Sequence, residues 1–253
     1  MRRQIVLISV VAFALVFALP TAAFAKKRPA SATGYDVSYP QCNGPLPASP
    51  LFGIVGVNNG IVYSANPCLA GEYAWASRST TTHRPKVSFY ANTANPGPTS
   101  SHWPVGQTSP RPCPAPLLTA DCSYDYGWDA AADSFRDAVN AAGSTAAQSA
   151  PWWLDIESAN SWTVDAGDNI AAIQGALDYL AAAATGGTGI YTNATSWQSI
   201  TGSSSAFSTY PSWVPGASNL AGAQANCSRS ITGGVVVYAQ YPSRGYDADY
   251  ICA

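Results

Sequence analysis

The chain has 253 residues, 47% of them hydrophobic and only 10% charged, enough to bury a sizeable core and too apolar for a disordered tail. Twelve Lys and Arg stand against fourteen Asp and Glu, a formal charge of −2, and no basic stripe appears beyond Arg28, which argues against nucleic acid as a partner. Glu occurs only at positions 72 and 157, and Glu157 ends an apolar run, an unusual setting for an acid in this chain.

At the start, Arg2 and Arg3 precede an apolar run from Ile5 to Leu19, followed by Ala23-Phe24-Ala25, the A-x-A pattern of signal-peptidase cleavage. Residues 1–25 are therefore expected to be a signal peptide and 26–253 a single domain, secreted or held at the cell wall, monomeric and without membrane association after cleavage. An uncleaved anchor is the alternative, but the run falls short of the roughly 20 apolar residues a spanning helix needs. The six cysteines, at 42, 68, 113, 122, 227 and 252, are an even number in an exported chain and read as an oxidised framework. Pairing sequence neighbours, Cys42 with Cys68, Cys113 with Cys122 and Cys227 with Cys252, is the simplest of the possible connectivities. Zinc is the rival reading, yet there is no C-x-x-C, and His83 and His102 lie in Pro/Ser/Thr-rich loops at no ligand spacing. No metal and no cofactor is expected.

Short β-type runs then alternate with helical patterns. Residues 34–38, 52–57, 87–90, 152–156, 189–192, 212–214 and 235–240 read as short, largely buried strands. Asn66-Pro67 opens a helix through Tyr73 and Trp75, and Trp128, Ala132, Phe135 and Val139 write a second that ends at Gly143. The clearest helix carries Ile170, Ile173, Leu177 and Leu180, with Asp168 as its cap and Gly186-Gly187 as its stop. Between the third strand and the second helix, residues 94–125 hold seven prolines and two cysteines and read as a long, stapled loop. Alternating strands and helices in a chain of this length predict an α/β fold, a TIM-like (β/α) barrel with irregular, helix-poor closing strands.

Asp155 and Glu157 stand two apart in Trp153-Leu154-Asp155-Ile156-Glu157. On a strand, period 2 puts both on one face. Two like charges sharing an apolar face disfavour ionisation, so at least one should hold its proton above the ordinary range, as acid/base chemistry requires. The bland alternative is a strand ending in solvent with both acids capping the next helix or pairing with Arg, which is scarce here. Asp36 lies at the equivalent point of the first strand, and Asp247 and Asp249 follow the last. On a barrel the carboxyl ends of the strands converge on one mouth.

Six ordered pieces resemble the glycoside hydrolase family 25 muramidases, the lysozymes of the Chalaropsis type. They are GYDVSYPQ (34–41), FGIVGVNNGIVYSANP (52–67), WLDIE (153–157), GIYTNATSW (189–197), SWVPGA (212–217) and VYAQYPSRGYDADYI (237–251). The resemblance implies a barrel with irregular closing strands that cleaves the β-1,4 bond between N-acetylmuramic acid and N-acetylglucosamine in peptidoglycan. It implies Glu157 as general acid and Asp155 as the group that positions or electrostatically supports the reacting sugar. Asp36 would contact the site from the first strand, and Asp249 would be the acid of the last. The chain departs from the family pattern at Gly56-Val57-Asn58-Asn59 and Phe89-Tyr90-Ala91-Asn92, and in the cysteine-bearing stretch after Asn95.

Flat rings with polar edges suit the apolar faces of sugars, which makes Tyr35, Tyr90, Trp162, Tyr191 and Trp213, with the polar Asn92, Gln240 and Asp247, the candidate substrate-binding residues. The rival to a hydrolase is a catalytically silent barrel that binds cell-wall glycan or a protein partner through the same mouth.

Overall fold

A computed structural model describes residues 33–82 and 84–253. The leader expected at 1–25 and His83 lie outside the described residues. In chain order the elements are β1 (Thr33–Val37), β2 (Gly53–Gly56), α1 (Leu69–Ser77), β3 (Val87–Asn92), α2 (Ala120–Ala142), α3 (Ser144–Ser149), β4 (Trp152–Asp155), α4 (Ala166–Ala183), β5 (Thr188–Tyr191), α5 (Ala194–Thr201), β6 (Ser212–Val214), α6 (Leu220–Asn226), β7 (Val236–Ser243) and β8 (Tyr246–Ile251).

The eight strands close into a barrel in sequence order. β1 to β7 run parallel, and β8 closes the ring antiparallel to both β7 and β1. The expected irregularity of the second half is present. β6 has three residues and a register shift at Ser212/Trp213, and β7 returns as β8 with no helix between them.

Several expectations need correction. Asp247 and Asp249 do not follow the last strand; they lie within β8. The hairpin escaped notice because its two-residue turn is Arg244-Gly245, with φ of 55° and 83°, rather than the Asn-Gly that usually marks a turn with two positive φ values. α4 is capped by Asp165, whose side chain accepts from the Asp168 N–H, so Asp168 sits inside the first turn. α2 begins at Ala120 under a Thr119 cap, which takes residues 120–125 out of the expected loop.

Strand alternation sorts the core into two shells. Val55, Phe89, Trp152, Leu154, Ile156 and Ile190 point outward and pack with Ile173, Leu177 and Leu180 of α4. Phe52, Ile54, Trp153, Trp213, Tyr238 and Ile251 point inward and plug the lumen, with Phe52 stacked on Tyr238 at 4.9 Å. Burying a large aromatic or aliphatic side chain contributes about 1.5–3 kcal/mol, so this plug is a major stabilising layer as well as the floor of the site. The three disulfides are the three neighbour pairs: Cys42–Cys68, Cys113–Cys122 and Cys227–Cys252. The Cys113–Cys122 bridge, with Trp103 and Tyr126, forms a small satellite core that orders the long loop.

α2 buries a different face from the one its large residues suggest. Gly127, Ala131, Ser134, Phe135 and Ala138 are buried, so of the expected face Phe135 is buried while Trp128, Ala132 and Val139 are only half-buried. The reason is a close crossing with α4: a Cβ on Gly127 would lie 1.9 Å from the Ala172 carbonyl oxygen, and one on Gly175 would lie 2.0 Å from that of Tyr124. In an exposed helix, Gly to Ala stabilises by about 1 kcal/mol. Here Gly127→Ala should instead destabilise by about 1–3 kcal/mol, since backbone must move to admit the methyl, and urea titration will read the loss as a lower midpoint.

Candidate active site

The inward alternation that plugs the floor also lines the mouth. Asp36 (β1), Tyr90 (β3), Asp155 (β4), Glu157 just beyond it, Tyr191 (β5), Trp213 (β6), Gln240 (β7) and Asp247 (β8) surround one cavity of about 170 Å³. Eight positions scattered over two hundred residues meet because each is the inward residue near the end of its strand. Register does the rest, placing Asn92 beside Asp155, Asp155 beside Tyr191, Tyr191 beside Trp213 and Asp36 beside Asp247.

Asp155 is buried and accepts a hydrogen bond from Asn92 Nδ2 at 2.8 Å through one oxygen; its other oxygen has no protein partner. Asn92 is itself fixed by a backbone N–H bond to Asn58 Oδ1 at 2.8 Å, and Asn58 donates to Ser134 Oγ on α2 at 3.2 Å. Burial, then the charges of Glu157 and Asp36, push the Asp155 carboxyl well above the ordinary range. Glu157 is half-buried, and burial raises its pKa against a long hydrogen bond from Asn193 Nδ2 at 3.4 Å. Asp36 is pushed up to about 7 by burial and by Asp247, opposed by the hydrogen bond from Gln240 Nε2 at 2.9 Å. Gln240 in turn accepts from the Tyr191 hydroxyl at 3.0 Å. No Lys or Arg is paired with any of these acids among the described residues, so no opposite charge there offsets the upward shift from burial. Nor does any group of three or more His, Cys, Asp or Glu among the described residues form a set able to hold a metal ion.

Four expected site residues have different positions. Asp249 is fully buried below the cavity, where it accepts from Trp213 Nε1 at 2.7 Å and is held protonated by burial and by Asp36; it braces Asp36 and Trp213 and does not line the site. Tyr35 points out of the barrel, one residue off the Asp36 face, and meets Tyr246 edge-on at 6.3 Å. Trp162 is outside the cavity: its indole N–H donates to the Glu157 carbonyl at 2.8 Å and so shapes the turn after the acid. Asn92 acts on Asp155 rather than lining the cavity. Asn193 was missed because Asn193-Ala194-Thr195 reads as a glycosylation sequon; its position just after the fifth strand was the signal available. It caps α5 through Oδ1 while its Nδ2 faces Glu157.

The departure at Gly56 and Tyr90 is one compensated change. A Cβ on Gly56 would lie 2.6 Å from the Tyr90 ring, so the absent side chain of β2 leaves the space that the Tyr of β3 fills.

An acid whose pKa is higher folded than unfolded binds its proton more tightly in the fold. Its stabilisation is complete below the unfolded value and is lost as pH rises through the folded one. For Asp36 that window runs from 3.8 to about 7. Thermal melts should therefore show the melting temperature of Asp36→Asn gaining on that of the wild-type protein from pH 4 to pH 7. In Asp247→Asn, where the like charge is gone but burial remains, carboxyl NMR should find the Asp36 midpoint below 7 and still above the ordinary value.

Known proteins share this fold. The family described as Lys-1, lysozyme-like protein 1, matches residues 123–226. Among curated proteins no sequence match is found. Among solved structures, the chain is similar to a bacterial lysozyme from Streptomyces coelicolor at 17% identity and a TM-score of 0.54, covering 88% of this chain and 93% of that one. It is similar to a family GH25 lysozyme from Aspergillus fumigatus at 14% identity and 0.54, covering 87% and 92%. It is also similar to a muramidase from Acremonium alcalophilum at 15% identity and 0.53, again covering 87% and 92%. At these identities the likeness is one of fold, and the chain is a divergent protein with the fold of the glycoside hydrolase family 25 lysozymes.

Proposed function

We propose that the protein is an exported glycoside hydrolase that cleaves β-1,4 bonds of peptidoglycan, with Glu157 as general acid. The observation that carries this reading is the Asp155–Glu157 pair on one inward face, at the mouth of a barrel of the lysozyme kind, with no cation to hold either acid ionised. Both acids line the cavity, and Glu157 is the more exposed of the two. It is half-buried, raised in pKa, and positioned by a turn that Trp162 pins through the Glu157 carbonyl. A general acid must arrive protonated near the working pH, and burial supplies that condition. Protonating the bridging oxygen lets the glycosidic bond break, and positive charge develops on the sugar left behind. Asp155, deeper in the barrel and oriented by Asn92, positions the reacting sugar, while Tyr191, Trp213 and Gln240 give the sugar an aromatic and polar wall.

Three disulfides fit the oxidising compartments in which such bonds persist, and among the described residues no helix is long and apolar enough to cross a membrane. The disulfides support the proposal of secretion; that the chain acts as a single barrel domain and a monomer is part of the same proposal. The silent-barrel reading draws its support from the size of the cavity, about 170 Å³, below the roughly 300–1,000 Å³ of typical ligand pockets. A glycan strand would lie across this mouth and insert one sugar.

Incubating the oxidised protein with purified cell walls should release new reducing ends. Glu157→Gln keeps size and hydrogen bonding but removes the transferable proton, so release should fall by roughly 10²- to 10⁴-fold while cell-wall binding persists. Undiminished cleavage would mean another acid. Wild-type binding without any cleavage would favour the silent barrel. The alkaline limb of the active protein's rate profile should mark loss of the Glu157 proton, above the ordinary Glu range because burial raises it.

A further inference from the structure

Two of the stretches at which the chain departs from the family pattern, 56–59 and 89–92, meet at one hydrogen bond. Asn58 stands two residues beyond the end of β2, and Asn92 is the last residue of β3. These strands pair in parallel with Gly56 opposite Tyr90, which brings the two asparagines side by side, and the Asn92 N–H donates to Asn58 Oδ1 at 2.8 Å. An amide side chain offers an acceptor oxygen and a nitrogen with two hydrogens. Asn58 uses both atoms: its Nδ2 donates to Ser134 Oγ on α2 and to the Ser64 carbonyl, each at 3.2 Å. With 2% of its surface exposed, Asn58 joins three segments that are distant in sequence: the loop after β2, the end of β3 and the middle of α2.

Asn92 carries that grip to Asp155. Its place opposite Asp155 is set by the register of β3 on β4, and its Nδ2 donates to Asp155 Oδ2 at 2.8 Å. Asp155, 8% exposed, lines the cavity beside Glu157, and its Oδ1 has no partner within the protein. A carboxyl held at one oxygen can rock about that contact unless the donor is itself immobile. The Asn58 bond makes it so. In the path Ser134–Asn58–Asn92–Asp155 each group holds the next, and satisfied polar chains of this kind rigidify what they end on. Both amides are neutral, so they supply direction without adding a charge beside the acid.

We propose that Asn58 is a positioning residue for the reaction at the barrel mouth, acting through Asn92 to fix the direction of the Asp155 carboxyl. Its part in catalysis rests on the hydrolase reading above; the relay of hydrogen bonds does not. Ser134 extends the relay to α2, so the direction of an acid inside the ring is tied to a helix packed outside it. The rival is a purely local role, in which Asn58 holds its own loop through the Ser64 carbonyl and the bridge to Ala65.

The test uses the full oxidised chain and two readouts, the Asp155 carboxyl midpoint by NMR and the kcat and KM for release of reducing ends from soluble peptidoglycan. Glu157 and Asp36, the charges that act on Asp155, stay in place throughout. Asn92→Ala removes a donor to the ionised form, so the Asp155 midpoint should rise above its wild-type value. Asn58→Ala should raise it in the same direction by a smaller amount and lower kcat about tenfold, with KM within about twofold. The double variant should match Asn92→Ala, since contributions that run through one residue are not additive. Gly127→Ala, which strains α2 at its crossing with α4 and lies outside the relay, should lower the melting temperature and leave the midpoint where it is. If Asn58→Ala does not fold, Ser134→Ala takes its place, with a smaller shift of the same sign expected. A lower melting temperature with an unmoved midpoint in whichever of these two is measured, or additive effects in the double variant, would overturn the relay. A wild-type chain that cleaves, with kcat unchanged in Asn58→Ala, would overturn the positioning role and leave the hydrolase reading standing. A shifted midpoint with no cleavage by the wild-type chain would sustain the relay and sink the hydrolase reading.

Discussion

A closed ring of eight strands leaves a lumen wide enough for side chains and too narrow for much else. Everything distinctive about this molecule follows from carboxyl groups being placed inside it. Below, the lumen is filled by Phe52, Trp153, Tyr238 and Ile251. Above that plug come Asp249, Asp36, Asp155 and Glu157, with no Lys or Arg paired to them among the described residues. Ionised carboxylates in such a setting are costly, so burial raises the pKa of each. That upward shift favours a general acid and makes stability depend on pH.

The supporting contacts make sense under this constraint. Trp213 donates to Asp249, Gln240 to Asp36 and Asn92 to Asp155. Each neutral donor satisfies a carboxyl oxygen without supplying the charge that would drive ionisation. An Arg at any of these places would depress the pKa by direct attraction and remove the proton the site depends on. The antiparallel β8 matters for the same reason. By running back against β1 and β7 it brings two further acids, Asp247 and Asp249, to the side of Asp36.

The long loop after β3 works by a different principle. It buries little of its own and is ordered by the Cys113–Cys122 bridge, the satellite core around Trp103, and its backbone bond to Ser161. Its His102 ring stacks on Tyr63, which ties the loop to the segment after β2.

Local chemistry in the sequence was sufficient for the first seven strands, the helix of Ile173 and Leu177 and the shared face of Asp155 and Glu157, because period-2 and helical spacings are short-range properties of the chain, while the disulfide pairs matched the simplest of several open connectivities. Ordered family motifs extended that reading to a barrel and its mouth. Whether a residue at a strand end points inward or outward was decided only by closure of the ring, which sent Tyr35 outside while its neighbour Asp36 went in. The depth of each acid was likewise tertiary: Asp249 is sealed beneath Trp213 because β8 is a strand, and a two-residue Arg-Gly turn does not announce one. The buried face of α2 was set by the close Gly127–Gly175 crossing rather than by hydrophobic spacing, since the backbones of two helices can touch only where neither carries a Cβ. Asn193 gained its place at Glu157 from a contact between segments distant in sequence, which no local pattern encodes.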